Sequence, residues 1–60
     1  MTSKEMEKLL LKNGFIFVRQ KGFHRVFWNA ETKRIGVVPM HAKELKIGME
    51  QKILKKAGLK

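Results

Sequence analysis

The first thirteen residues carry their apolar side chains at the spacing of a helix. Three of these residues form the i, i+3, i+4 stripe of an amphipathic helix: Met6, Leu9 and Leu10. Ahead of the stripe, Thr2 and Glu5 have the spacing of a capping box, in which each side chain bonds the other residue's backbone N–H. Gly14 follows Asn13, and glycine favours the left-handed conformation that ends many helices. The pattern predicts a helix between Thr2 and Asn13.

Three short segments rich in aromatic and β-branched residues come next, and turns separate them. The segments cover residues 15–19, 22–28 and 34–38, with turns at 20–22 and 29–33. Pro39 ends the third segment, because proline has no backbone N–H to give to a neighbouring strand. Connections this short predict an antiparallel meander of three strands.

The central segment holds both a histidine and the only tryptophan of the chain. With the period of a strand, one face carries His24, Val26 and Trp28, and the other carries Phe23, Arg25 and Phe27. Three phenylalanines are expected in the core: Phe15, Phe17 and Phe27. If Phe27 is in the core, then His24 and Trp28 lie on the other face. The opposite assignment stays open, because tryptophan is usually largely buried.

A lysine-rich loop over residues 40–47 leads to a second helix, which begins at about Gly48 and ends at Ala57-Gly58. The order of elements predicts an α+β fold, α-β-β-β-α, with an antiparallel three-stranded sheet and two helices on one of its faces. Residues 1–60 form one domain, since a chain of this length has room for a single thin core. The second face of the sheet is expected to meet water or a partner.

The charge balance indicates a polyanionic partner. Fourteen Lys and Arg against five acidic residues give a formal net charge of +9, which favours nucleic acid over other partners. There is no cysteine and no apolar run near the roughly 20 residues that span a membrane. We therefore expect a soluble, cytoplasmic protein that does not bind a membrane.

The chain has few of the residues that metal-dependent or serine-based catalytic sites require. The five acidic residues are all Glu and are scattered, and the chain has only two histidines, so we expect no metal site and no cofactor. The only serine, Ser3, stands at the start of a helix, which is a poor place for a nucleophile.

Cleavage of RNA without a metal ion requires fewer catalytic groups from the protein. The attacking 2′-hydroxyl belongs to the substrate, so the protein supplies a proton-transfer group and cations for the phosphate. Histidine side chains ordinarily titrate near neutrality, which makes His24 a candidate catalytic residue. A surface or RNA-binding histidine is the alternative at that position. His41, in the basic loop, is expected to bond the backbone, with a catalytic role as the alternative.

Further residues are candidates for RNA binding because they supply positive charge or a ring for stacking. They are Arg19, Lys21, Arg25, Trp28, Lys43 and Lys46. The remaining lysines, Lys52, Lys55 and Lys56 among them, form a general basic surface that either is only solvated or follows phosphates.

The chain resembles the HicA toxins, the small mRNA interferases of type II toxin–antitoxin pairs. The resemblance covers nearly the whole length and rests on an ordered set of short motifs. These are Ser3-Lys4-Glu5, Asn13-Gly14-Phe15, Arg19 with Lys21-Gly22-Phe23-His24, Val38-Pro39-Met40-His41, Glu44-Leu45, Ile47-Gly48 and Ile53-Leu54-Lys55-Lys56-Ala57-Gly58-Leu59.

The resemblance implies a double-stranded-RNA-binding-domain-like fold and metal-independent cleavage of mRNA. It also implies neutralisation by a HicB-like antitoxin, which we expect to cover the open sheet face in a hetero-oligomer. The family's catalytic histidine follows a Gly-Ser pair and corresponds to His24. Phe23 stands where the family typically has Ser. If that hydroxyl orients the phosphate or the imidazole, Phe23 would slow turnover or change sequence preference.

Two other functions remain open from the sequence. One is a non-catalytic RNA-binding domain of the same fold, in which His24 only contacts the RNA backbone. The other is a protein-interaction module whose open face, with Val26 and Trp28, serves a partner.

Overall fold

The computed structural model describes all 60 residues. The element order is α1 (Ser3–Lys12), β1 (Ile16–Lys21), β2 (His24–Asn29), β3 (Arg34–Pro39) and α2 (Ile47–Lys56). The strands form one antiparallel sheet in the order β1-β2-β3. The predicted α-β-β-β-α fold and its meander are confirmed. No helix has the length and apolar character needed to cross a membrane.

Local signals in the sequence explain where α1 begins and ends. The Glu5 N–H donates to Thr2 Oγ1 at 3.1 Å, and the Thr2 N–H donates to Glu5 Oε1 at 2.8 Å, so the capping box is complete. The bond from the Thr2 backbone lowers the pKa of Glu5 from its ordinary value, and the side-chain bond with Thr2 adds to the shift. Past Asn13, Gly14 takes a φ of +88°, a conformation that glycine adopts without strain.

The hairpin between β1 and β2 is tighter than the sequence predicted. Lys21 pairs with His24, so the turn consists of Gly22 and Phe23 alone. Only Gly22 has a positive φ, +59°, as at the first central position of a type II′ turn. The placement of Phe23 as a strand residue on the helix-covered face was therefore wrong. Phe23 lies in the turn and is 77% exposed.

A β-bulge in β1 changes which residues share a face. Phe17 pairs with Phe27, but the next pair is Arg19 with Val26, which leaves Val18 without a partner residue. Paired residues in an antiparallel sheet point to the same face. Phe17 therefore lies on the side of Phe27, while Arg19 lies on the side of Val26.

The core lies between one face of the sheet and the two helices. Its buried apolar side chains come from both helices, from β2 and β3, and from the segments that flank the elements; β1 itself contributes none. They are Met6, Leu10, Phe15, Phe27, Val38, Leu45, Ile53 and Ala57. Gly36 lets α1 approach β3 closely, since a Cβ there would lie 2.9 Å from Leu10 Cδ1. Phe17, which was expected in the core, is instead 43% exposed and meets Phe27 edge to face at 5.7 Å.

Two buried polar side chains tie the loops to α1. Asn29 donates to the Asn13 carbonyl and accepts from two N–H groups of the β2–β3 turn. Ser3 joins the start of α1 to the segment after β3, because its Oγ donates to the Pro39 carbonyl and accepts from the Ala42 N–H. The Ser3 N–H also donates to the Ala42 carbonyl at 2.9 Å.

Candidate nucleic-acid interface

The uncovered side of the sheet, here called the open face, is built from three rows of paired residues. The rows are Lys21–His24–Pro39, Arg19–Val26–Val37 and Ile16–Trp28–Ile35. Phe27 is buried on the opposite side at 1% exposure, whereas Trp28 is 37% exposed. The prediction that His24, Val26 and Trp28 share the open face is therefore confirmed, and a core position for Trp28 was wrong.

His24 borders a depression over the three strands, here called the strand depression, of about 530 Å³. Its lining is Arg19, Lys21, Gly22, Phe23, His24, Val26, Ile35 and Val37. The bulge at Val18 is the reason that Arg19 belongs to it, because strict alternation from Phe17 would have turned Arg19 to the other face. No carboxylate lines the strand depression, so its charge is entirely positive.

His24 also borders a second depression of about 210 Å³, here called the helix depression, between β3 and α2. Its lining is His24, Val37, Pro39, Met49, Lys52, Ile53 and Lys56. Lys52 and Lys56 stand one helical turn apart on α2, the i, i+4 spacing that places side chains on the same face. The sequence predicts for both only a general basic surface that also includes Lys55. Helical spacing does not separate the three lysines, because Lys52 and Lys55 are also neighbours at i, i+3.

His24 thus lies between two positively charged depressions without acidic groups. Arg19 and Lys21 supply the charge on one side, and Lys52 and Lys56 supply it on the other. An anionic strand that crosses the sheet from β1 towards α2 would pass over the imidazole with cations on both sides. This arrangement suits a phosphodiester.

Trp28 belongs to the open face but lies far from His24. It is four residues further along β2, which corresponds to about 13 Å at the usual rise of a strand. It pairs with Ile16 on one side and Ile35 on the other, so its surroundings are apolar. Trp28 can contact a partner that spans the whole face, but it does not border either depression.

Arg25 and Lys43 lie away from this group. The Arg25 side chain points to the helix-covered side, where its Nε is 3.4 Å from Glu7 Oε2 and has no hydrogen-bond partner. Its guanidinium carbon lies 4.4 Å from the centre of the Phe17 ring, a cation–π contact. Arg25, Lys43 and His41 line a separate depression of about 360 Å³ beside the start of α1.

Lys46 and His41 complete the set of predicted residues. Lys46 is exposed at the N-cap position of α2 and makes no capping bond with its side chain. His41 has a φ of +60° and its side chain makes no hydrogen bond, so the expected bond to the backbone is not present. No depression contains both His24 and His41. No group of three or more His, Cys, Asp or Glu side chains is placed to hold a metal ion.

Comparison with known protein families gives a match over nearly the whole chain. The family described as "HicA toxin of bacterial toxin-antitoxin" matches residues 3–59, a range that contains all five elements and both depressions beside His24. A comparison with curated proteins gives no match.

Proposed function

The chain belongs to the HicA toxin family, and from this premise we propose that it is a metal-independent endoribonuclease that cleaves mRNA. Membership makes it the toxin of a toxin–antitoxin system. The observation that carries the proposed activity is the position of His24, exposed on the open face between two positively charged depressions.

In the proposed reaction the 2′-hydroxyl of the RNA attacks the adjacent phosphorus, and the bond to the 5′-oxygen breaks. His24 either takes the proton from the 2′-hydroxyl or gives one to the departing 5′-oxygen, and solvent water makes the other proton transfer. Arg19 and Lys21 on one side, and Lys52 and Lys56 on the other, stabilise the negative charge that builds up on the phosphate. The products are a 2′,3′-cyclic phosphate and a free 5′-hydroxyl.

The predicted RNA-binding cations that do not line either depression have a different role in this proposal. Lys43 and Lys46 are exposed, and Arg25 is about one-third exposed. They bind RNA phosphates outside the two depressions and away from the cleaved bond, Arg25 and Lys43 at the depression beside the start of α1. Trp28 contacts the substrate at the far end of the open face.

The proposed antitoxin partner is a HicB-like acidic protein that covers the open face and occludes His24. The support is chemical complementarity, because this face combines cations with exposed apolar side chains such as Trp28 and Ile16. Toxin and antitoxin then form a hetero-oligomer, and free toxin acts on mRNA in the cytoplasm.

A second candidate function is RNA binding without cleavage. One observation favours it: apart from His24, the titratable residues that line the two depressions are all Lys or Arg. Cleavage of this type has two proton transfers, and the open face offers a histidine for only one of them.

The test is incubation of the purified chain with a long RNA, with and without EDTA, followed by mapping of the new ends. We expect cleavage in both samples and 2′,3′-cyclic phosphate ends. His24→Ala should cleave about 10²–10⁴-fold more slowly. Its free energy of unfolding should stay within about 0.5 kcal/mol of that of the wild type, because His24 is exposed.

His41→Asn is the matched control, since it removes the other imidazole and asparagine tolerates a positive φ. We expect it to cleave at the wild-type rate. Wild-type cleavage by a folded His24→Ala variant would refute the assigned role. Tight RNA binding by a wild-type chain that never cleaves would favour the second candidate.

A further inference from the structure

The exposure of Phe23 has no explanation in the fold. Its side chain is 77% exposed, and it belongs neither to the buried core nor to the partly buried apolar residues packed against it. The conformation of the turn depends on the positive φ of Gly22, so the structure does not need an aromatic residue at the next position. A ring that contributes no packing is available for a ligand.

A hydrogen bond fixes the backbone of Phe23 beside His24. The Met40 N–H donates to the Phe23 carbonyl at 2.7 Å, which extends the pairing of β2 and β3 into the turn. Phe23 lines the strand depression together with Arg19 and Lys21. An apolar ring and two cations therefore border the same depression as the candidate catalytic imidazole.

We propose that Phe23 is a base-stacking residue that binds the nucleobase next to the phosphate at His24. The inference rests on the proposed function and adds the class of substrate, which is single-stranded RNA. A nucleotide offers a flat π face to the ring and a phosphate to Arg19 and Lys21, and no carboxylate in the depression opposes the phosphate. A base inside a duplex has no free face to stack, so the target must be unpaired.

The test measures the affinity of the chain for single-stranded RNA oligonucleotides carrying 2′-O-methyl groups, which lack the attacking hydroxyl. Phe23→Ala should weaken binding about 5- to 150-fold, the range expected when one base loses its aromatic partner. Phe23→Trp should bind as tightly as wild type or more tightly.

Ile47→Ala is the matched control, because Ile47 is also 77% exposed but borders none of the depressions. We expect it to bind within twofold of wild type. A fully paired duplex of the same sequence should show no difference between wild type and Phe23→Ala.

A second readout locates the stacked base. In a series of oligonucleotides that each lack one base, the loss at one position should remove the difference between wild type and Phe23→Ala. Equal affinities for Phe23→Ala and Ile47→Ala would overturn the inference, as would an unchanged difference at every position of the series. An effect confined to binding of a protein partner would also overturn it.

The outcome separates this inference from the proposed function. A wild-type chain that binds or cleaves RNA while Phe23→Ala behaves identically refutes stacking alone. A wild-type chain that neither binds nor cleaves RNA refutes the proposed function, and the stacking inference with it.

Discussion

Replacing Asn29 by alanine should be among the most destabilising polar substitutions in this chain. Asn29 is 4% exposed at the end of β2, and its side chain makes three hydrogen bonds. Its Nδ2 donates to the Asn13 carbonyl at 3.0 Å, while its Oδ1 accepts from the N–H groups of Glu31 at 2.9 Å and Thr32 at 3.1 Å. These bonds attach the β2–β3 turn to the end of α1.

The expected loss follows from those three bonds. A net contribution of about 1 kcal/mol for each gives a decrease of about 2–3 kcal/mol in the free energy of unfolding, the lower figure applying if water reaches the freed groups. Domains of this size are stable by only about 3–9 kcal/mol in total. The melting temperature should therefore fall by about 10–20 °C.

Urea unfolding followed by the fluorescence of Trp28 measures the difference. Asn13→Ala is the control, because the Asn13 side chain makes one exposed bond, from its Nδ2 to the Leu9 carbonyl at 2.8 Å. It should cost about 0.5 kcal/mol. If Asn29→Ala and Asn13→Ala unfolded within about 0.5 kcal/mol of each other, the assigned role of the three bonds would be wrong.

Two further predictions concern cleavage and acid stability. Lys52→Ala and Lys56→Ala should each slow RNA cleavage about tenfold or more, the usual worth of a charge-assisted hydrogen bond. Lys55→Ala is the control, because it makes the same change of charge outside both depressions. Its cleavage rate should stay within about threefold of wild type. Equal effects at all three lysines would contradict a specific role for the helix depression. Because the capping box lowers the pKa of Glu5, its contribution to stability is present above the ordinary value of 4.5 and is lost as the pH falls through the lowered value. Urea midpoints measured between about pH 6 and pH 2 should fall less steeply for Glu5→Gln than for wild type.

Local signals in the sequence were sufficient to predict the helices and strands, and also which β2 residues lie on the open face. The capping box at Thr2 and the stripe of α1 depend only on neighbouring residues, and the structure confirms both. The alternation along β2 placed His24 and Trp28 on one face, and the core position of Phe27 decided which face that was. Periodicity succeeds here because β2 is the central strand and is regular throughout.

The features of the open face that the sequence did not reveal depend on how strands pair and on how a helix packs against the sheet. The bulge at Val18 arises where two strands pair, and nothing in the composition of β1 marks it. Because the bulge could not be recognised in the sequence, the face on which Arg19 lies could not be predicted either. Lys52 and Lys56 approach His24 only because α2 packs against β3, a contact between elements far apart in the chain.

The contacts of Ser3 have a consequence for the time course of synthesis. Ser3 and its partner Ala42 are 39 positions apart, so at about 5–20 residues per second the partner is made roughly 2–8 s later. Until then α1 has only ten residues to support it, too few for a stable helix in water. The first turn of α1 therefore becomes ordered only after all three strands have been translated. Between the synthesis of His24 and that of Lys52, 28 positions later, the nascent chain contains the imidazole but not the α2 lysines that complete its surroundings.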